Sequence, residues 1–134
     1  MRSLLAAFLL CFAVLAAPSA ATAQVSGSLS GVWRGVFAGA GNQPTEFQAN
    51  LADMGGRITG DTTELSTRGA DSYFYLGDIR GTHQGDMVRF TKTYDGTGGR
   101  SHVVEYVGRV LPGGRRIVGT WSIGTTTGQF EMVR

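Results

Sequence analysis

A chain of 134 residues with 12 basic and 10 acidic side chains, net charge +2, is too short for two well-built domains. It is also too evenly charged for a nucleic-acid protein, which would carry a basic stripe. Its 21 glycines exclude long helices, because each interior glycine costs a helix about 1 kcal/mol relative to alanine. One small domain of short strands joined by tight turns is the expectation.

The N-terminus has a basic start at Arg2, a continuous apolar run from Leu4 to Ala17, and then Pro18 to Ala23 with Ala21-x-Ala23 as a cleavage pattern. This predicts a secretory signal over 1–23 and a mature start at Gln24. The 14-residue run is shorter than the ~20 residues a bilayer span needs, so no stable membrane anchor is expected. The predicted location is the periplasm or the cell exterior. Cys11 lies inside the run, leaving the mature 111 residues without a thiol and with a net charge of +1. Disulfides, cysteine nucleophiles and thiolate metal sites are excluded together.

Residues 24–30 form a short polar arm, and eight extended segments of period two follow, over 31–38, 45–53, 57–65, 72–80, 86–94, 101–110, 115–123 and 127–134. Glycine-rich connections such as Met54-Gly55-Gly56 and Pro112-Gly113-Gly114 supply the positive φ of hairpins. Connections this short permit only antiparallel neighbours, and eight meandering strands are the usual number for a small closed barrel. The predicted fold is therefore an all-β, eight-stranded antiparallel up-and-down barrel over 31–134. Mid-strand glycines at 35, 60, 77, 108 and 119 fit the coiling a barrel requires. Alternation places Trp33, Phe37, Phe47, Ala49, Leu51, Ile58, Leu76, Val88, Phe90, Val104, Tyr106, Ile117, Trp121, Phe130 and Met132 inside, with Tyr73 and Tyr75 competing against Phe74 and Leu76 for the inside of the fourth strand.

Gly31-Val32-Trp33 opens the first strand and Gly119-Thr120-Trp121 closes the seventh. A Gly-x-Trp opening an eight-stranded meander behind a signal peptide resembles the calycin superfamily, lipocalin-like and avidin-like barrels in particular. The resemblance implies a small molecule held at one mouth, with the first tryptophan plugging the other end. Biotin is not implied, because Arg34 to Gly41 replaces the polar Asn and Ser cluster that avidin-like proteins carry there. Small periplasmic inhibitors of bacterial metalloproteases share the size, the export and a polar arm before a Gly-x-Trp strand, and that resemblance implies a protein-interaction role for 24–30.

The candidate ligand-binding residues are Lys92, Tyr94, His102 and Tyr106, with Trp33 and Trp121. Phe90, Lys92 and Tyr94 share one face of the fifth strand, and His102, Val104 and Tyr106 face them across the hairpin. Facing inward, they would present an ammonium, an imidazole and two phenols over an apolar floor, suited to a small anionic or aromatic ligand. Placed at strand ends, the polar tips would instead reach water with their stems packed on the rim. Asp61, Glu64, Arg68 and Asp71 lie in a polar stretch, Gly60 to Ser72, that reads as strand end and open loop, which makes them solvated charges rather than an acid–base pair.

No metal is expected, since His83 and His102 are the only histidines and lie 19 residues apart. No cofactor is expected either: Asp95 to Gly99 lacks the Lys-Ser/Thr and helix of a phosphate loop. No reaction finds a full set of parts, and the chain is read as non-enzymatic. The aromatic run Tyr73-Phe74-Tyr75 leaves a protein partner, a homo-oligomer through the outer wall, and plain packing all open.

Overall fold

The computed structural model describes residues 27–134 apart from 40, 42 and 69 and the side chains at 67 and 68. The predicted signal at 1–23 and the first part of the arm lie outside the described residues. Eight strands follow in order: β1 (Gly31–Gly39), β2 (Thr45–Met54), β3 (Arg57–Arg68), β4 (Asp71–Gln84), β5 (Met87–Tyr94), β6 (Val103–Val110), β7 (Arg116–Ile123) and β8 (Thr126–Val133). Each pairs antiparallel with the next, and β8 pairs with β1 to close the barrel. The predicted meander is the observed topology.

The hairpins turn where the sequence supplies glycine. Gly55 and Gly56 take φ of +64° and +89° between β2 and β3, a conformation closed to most side chains. Inside, alternating residues make one core that includes Trp33, Ala49, Ile58, Val88, Phe90, Tyr106, Ile117, Phe130 and Met132. Phe90 and Tyr106 stack at 4.7 Å between centroids, and Phe130 meets Tyr106 edge-on at 5.0 Å.

Two expectations need correction. The stretch from Gly60 to Ser72 is not an open loop: β3 runs to Arg68 and β4 starts at Asp71, paired with each other throughout. Pairing of β2 with β3 stops at Phe47 opposite Glu64, and pairing of β4 with β5 stops at Gly77 opposite Tyr94. Residues 65–68 of β3 and 71–76 of β4 therefore continue past the rim as a two-stranded ribbon. Polarity suggested a loop there, but the threonines of this stretch suit a pleated strand as well as any apolar residue.

The second correction is the phase of β4. Ile79 must face inward, which carries Tyr75 in with it at 9% exposure and turns Leu76 out at 37%. Aromatic Tyr75 and aliphatic Leu76 are equally apolar to a pattern, so the phase was decided further along the strand.

The start of β1 is the closed end. Leu29, fully buried, sits beneath Trp33, whose Nε1 donates to the Leu29 carbonyl at 2.8 Å. Asp53 accepts from the Leu29 amide at 3.0 Å and the Gly56 amide at 2.9 Å, and its Oδ2 lies 2.8 Å from His83 Nδ1. Arg134 lies over the Trp33 ring at 4.7 Å and donates to the Ser28 and Ser30 carbonyls. Residues 28–30 are thus fastened to the barrel, with Leu29 as its plug.

Burial raises the Asp53 pKa, but the Leu29 amide, the His83 ring and the Gly56 amide outweigh it and hold the carboxyl below its ordinary value. A depressed carboxyl pKa contributes stability above the unfolded value of 3.8 that is lost as pH falls through the folded one. Asp53→Asn is expected to lower stability at pH 6 by about 1–3 kcal/mol, because buried donors lose a charged acceptor. It should also flatten the decline in urea midpoint on acidification below pH ~4. Equal midpoints for variant and wild type at pH 6 would contradict the assignment.

Candidate ligand site at the barrel mouth

At the opposite end from Trp33, the inward positions of β3, β4 and β5 turn from apolar to ionisable. Glu64 is the last residue of β3 paired to β2, and Lys92 and Tyr94 are the last two inward residues of β5. Period two sends all three into the barrel, where Glu64 is 0% and Lys92 1% exposed. The carboxylate expected to be solvated is fully enclosed, because it lies on the inward face of β3 with Lys92, Tyr94 and Arg100 against it.

Burying charge is unfavourable unless every lone pair and proton finds a partner. Here Lys92 Nζ donates to Glu64 Oε1, and the Tyr94 hydroxyl lies 2.7 and 3.0 Å from the two Glu64 oxygens. The ammonium also lies 4.5 Å from the Tyr94 ring centroid and 4.9 Å from that of Phe37, with Phe47 and Tyr106 at 5.5 and 5.6 Å. Ring faces are negative and take up part of the lost hydration of the cation. Burial still lowers the Lys92 pKa, with the Glu64 carboxylate opposing. Burial, reinforced by the Glu64 charge, pushes the Tyr94 phenol well above its ordinary value, and burial does the same to Tyr106. Both phenols are thus held in the neutral form, and that of Tyr94 donates to Glu64.

Arg100 closes the group from above. It comes from the β5–β6 connection, which contains a 3-10 turn at Thr97–Gly99. Its guanidinium carbon stands over the Tyr75 ring, 3.8 Å from the centroid, and Nη1 reaches Glu64 Oε2 at 3.4 Å. The connection can lie this close to β4 because Gly98 has φ +67° and a Cβ there would stand 2.8 Å from the Tyr75 ring. Arg100 is not among the candidate residues, since period two carries no information in a turn; its signal in the sequence is a lone arginine immediately after a glycine-rich turn within the candidate hairpin.

Above the ion cluster lies a half-open depression of about 270 Å³, bounded by Phe37, Tyr94, Arg100, His102, Val104, Tyr106, Trp121 and Ile123. Trp121 is fixed there by its Nε1 bond to the Ala38 carbonyl at 3.2 Å, and its ring fits over β8 because residue 128 is glycine. His102 is exposed and lies against Tyr94, ring centroids 4.7 Å apart.

Of the six predicted residues, the mouth brings together Tyr94, His102, Tyr106 and Trp121, with Lys92 directly beneath. Trp33 is elsewhere, at the closed end under Arg134. Lys92 and Tyr94 do not reach water as strand-end residues. Asp61 points outward, bonded by Asn50 Nδ2 at 2.7 Å, so it and Glu64 stand on opposite faces and form no acid–base pair. Of the aromatic run, Tyr73 and Phe74 are exposed at 41% and 54% while Tyr75 is inside.

No family model matches the chain, and no curated protein matches it. Among solved structures it is similar to a redesigned β-barrel, with a TM-score of 0.57 at 16% identity over 79% of this chain and 90% of that one. At that identity the likeness speaks for the fold alone, a small closed barrel.

Removing one member of a buried ion pair strands the other. Lys92→Met and Glu64→Leu are each expected to cost about 3–5 kcal/mol, and the double variant to be more stable than either single one. Guanidinium unfolding of the four proteins measures this; a double variant as unstable as the two losses added would contradict the pairing.

Proposed function

We propose that the protein is an exported, non-enzymatic binder of a small molecule, with a calycin-like architecture and its ligand at the barrel mouth. The observation that carries this reading is the depression over the Glu64–Lys92–Tyr94 cluster. It combines ring walls at Phe37, Tyr106 and Trp121 with polar groups at Arg100 and His102, the mixture of apolar lining and few convergent polar groups that small-molecule sites use. The basic start, apolar run and Ala21-x-Ala23 pattern support export.

Binding rather than chemistry is favoured by how the titratable groups are committed. The Glu64 oxygens receive Lys92, Tyr94 and Arg100. His83 lies between Asp53 and the Gly85 carbonyl at the closed end, away from the mouth. Trp33 has no part in the site.

A second reading rests on the ribbon beyond the rim. Leu65 and Phe74 are cross-strand partners, 55% and 54% exposed, with Leu76 beside them at 37%. Such a patch suits contact with a protein or a second copy of the chain.

Native mass spectrometry of the protein purified gently from its export compartment separates these readings. The expected result is the mass of residues 24–134 plus a small addition that leaves on denaturation and is reduced in Trp121→Ala. A bare mass in both proteins contradicts the mouth reading. An assembly that Phe74→Ser dissolves would favour the ribbon.

A further inference from the structure

We propose that the mouth selects a planar aromatic carboxylate, with Arg100 as the residue that receives the carboxylate. This rests on the reading of the mouth as a small-molecule site and adds the chemical class of its occupant.

The charge balance sets the sign. Two cations, Lys92 and Arg100, stand against the single carboxylate of Glu64 within the cluster. A cationic ligand would meet repulsion there, and an anion would complete the balance. Of the two cations, Lys92 is enclosed at 1% exposure, whereas the Arg100 side chain is 38% exposed at the mouth. The bond from Arg100 to Glu64, at 3.4 Å, is long beside the 2.7–2.9 Å usual for a charged pair. A guanidinium over a ring face can still donate from its in-plane N–H groups. Although Nη1 of Arg100 makes the long bond to Glu64, this planar fork is the group that matches a carboxylate in two parallel hydrogen bonds. Arg100 is held in this posture by Tyr75 at 3.8 Å.

Shape sets the rest. The depression, at about 270 Å³, is smaller than the ~300–1,000 Å³ of drug-sized pockets, which suits one ring with a short substituent. Beneath it stand the buried side chains of Lys92, Phe47, Phe90, Tyr106 and Phe130, which an extended acyl chain would have to displace to descend. The Trp121 N–H is committed to Ala38, leaving that ring to act through its apolar surface. Ring walls and one cationic edge together describe an aromatic anion.

The mature protein should be titrated calorimetrically with benzoate and with its neutral counterpart benzyl alcohol. Benzoate is expected to bind saturably and about tenfold or more tighter than the alcohol, the size of a charge-assisted hydrogen bond. Arg100→Gln should remove that advantage while leaving the alcohol's affinity unchanged; Arg89→Gln, on the outer wall, should leave both unchanged. Near-ultraviolet circular dichroism checks that each variant keeps its packed barrel. Benzyl alcohol binding as tightly as benzoate, or Arg100→Gln binding benzoate as the wild type does, overturns the proposal. So does failure of benzoate to bind, and the mass spectrum then shows how far the failure reaches. A retained small adduct retires the aromatic anion alone, whereas a bare chain takes down the mouth reading with it.

Discussion

Everything in this barrel depends on the pairing of β8 with β1, from Arg34 opposite Val133 to Gly39 opposite Gly128. It removes the two edges that an open eight-stranded sheet would expose, and it gives every strand an inside and two ends. The same strand then serves two chemistries. On β1, Trp33 faces the plug and Phe37 the mouth. On β5, Val88 is buried near the closed end while Lys92 and Tyr94 reach the ion cluster. On β4, His83 bonds Asp53 at one end and Tyr75 carries Arg100 at the other.

Charge is confined to the two ends of the interior. Asp53, His83 and Arg134 tie down residues 28–30, and Glu64, Lys92 and Arg100 gather under the mouth, with Ile58, Ile79, Phe90, Tyr106 and Phe130 between them. The apolar layer gives the barrel its driving force. The terminal clusters contribute specificity of another kind, because a shifted register would strand a buried charge beside an apolar wall. The aromatic rings around Lys92 work at the boundary, packing as apolar bodies below and facing a cation above.

Much of this was legible from the sequence. Eight segments, their order, the meander and most inward residues follow from period two and glycine-rich connections, because burial on one face leaves that trace directly. The grouping of Lys92, Tyr94 and Tyr106 on one face was legible for the same reason. What was not legible depended on pairing length rather than on pattern. Glu64 sits in a run of polar residues whose composition points to solvent, although it shares the inward face of Ile58 and is still paired to Phe47 of β2. Arg100 belongs to a turn, where period two carries no information. Trp33 enters the ligand set by its residue type, although the same sequence also allows the first tryptophan to stand at the far end, where it packs over Leu29.

The two features that sequence hid are one structural fact. If β3 and β4 ended with the rest of the rim, Glu64 would lie at the water boundary and Tyr75 would be a loop residue. Because they continue, Tyr75 is held inward at the height of the mouth and gives Arg100 a ring to lie on. Arg100, so placed, reaches Glu64 from above while Lys92 reaches it from within. Gly98 permits the contact, since its positive φ and missing Cβ let the β5–β6 connection close on Tyr75. The extra length of one hairpin thus sets a charged and aromatic mouth above the packed side chains of the core.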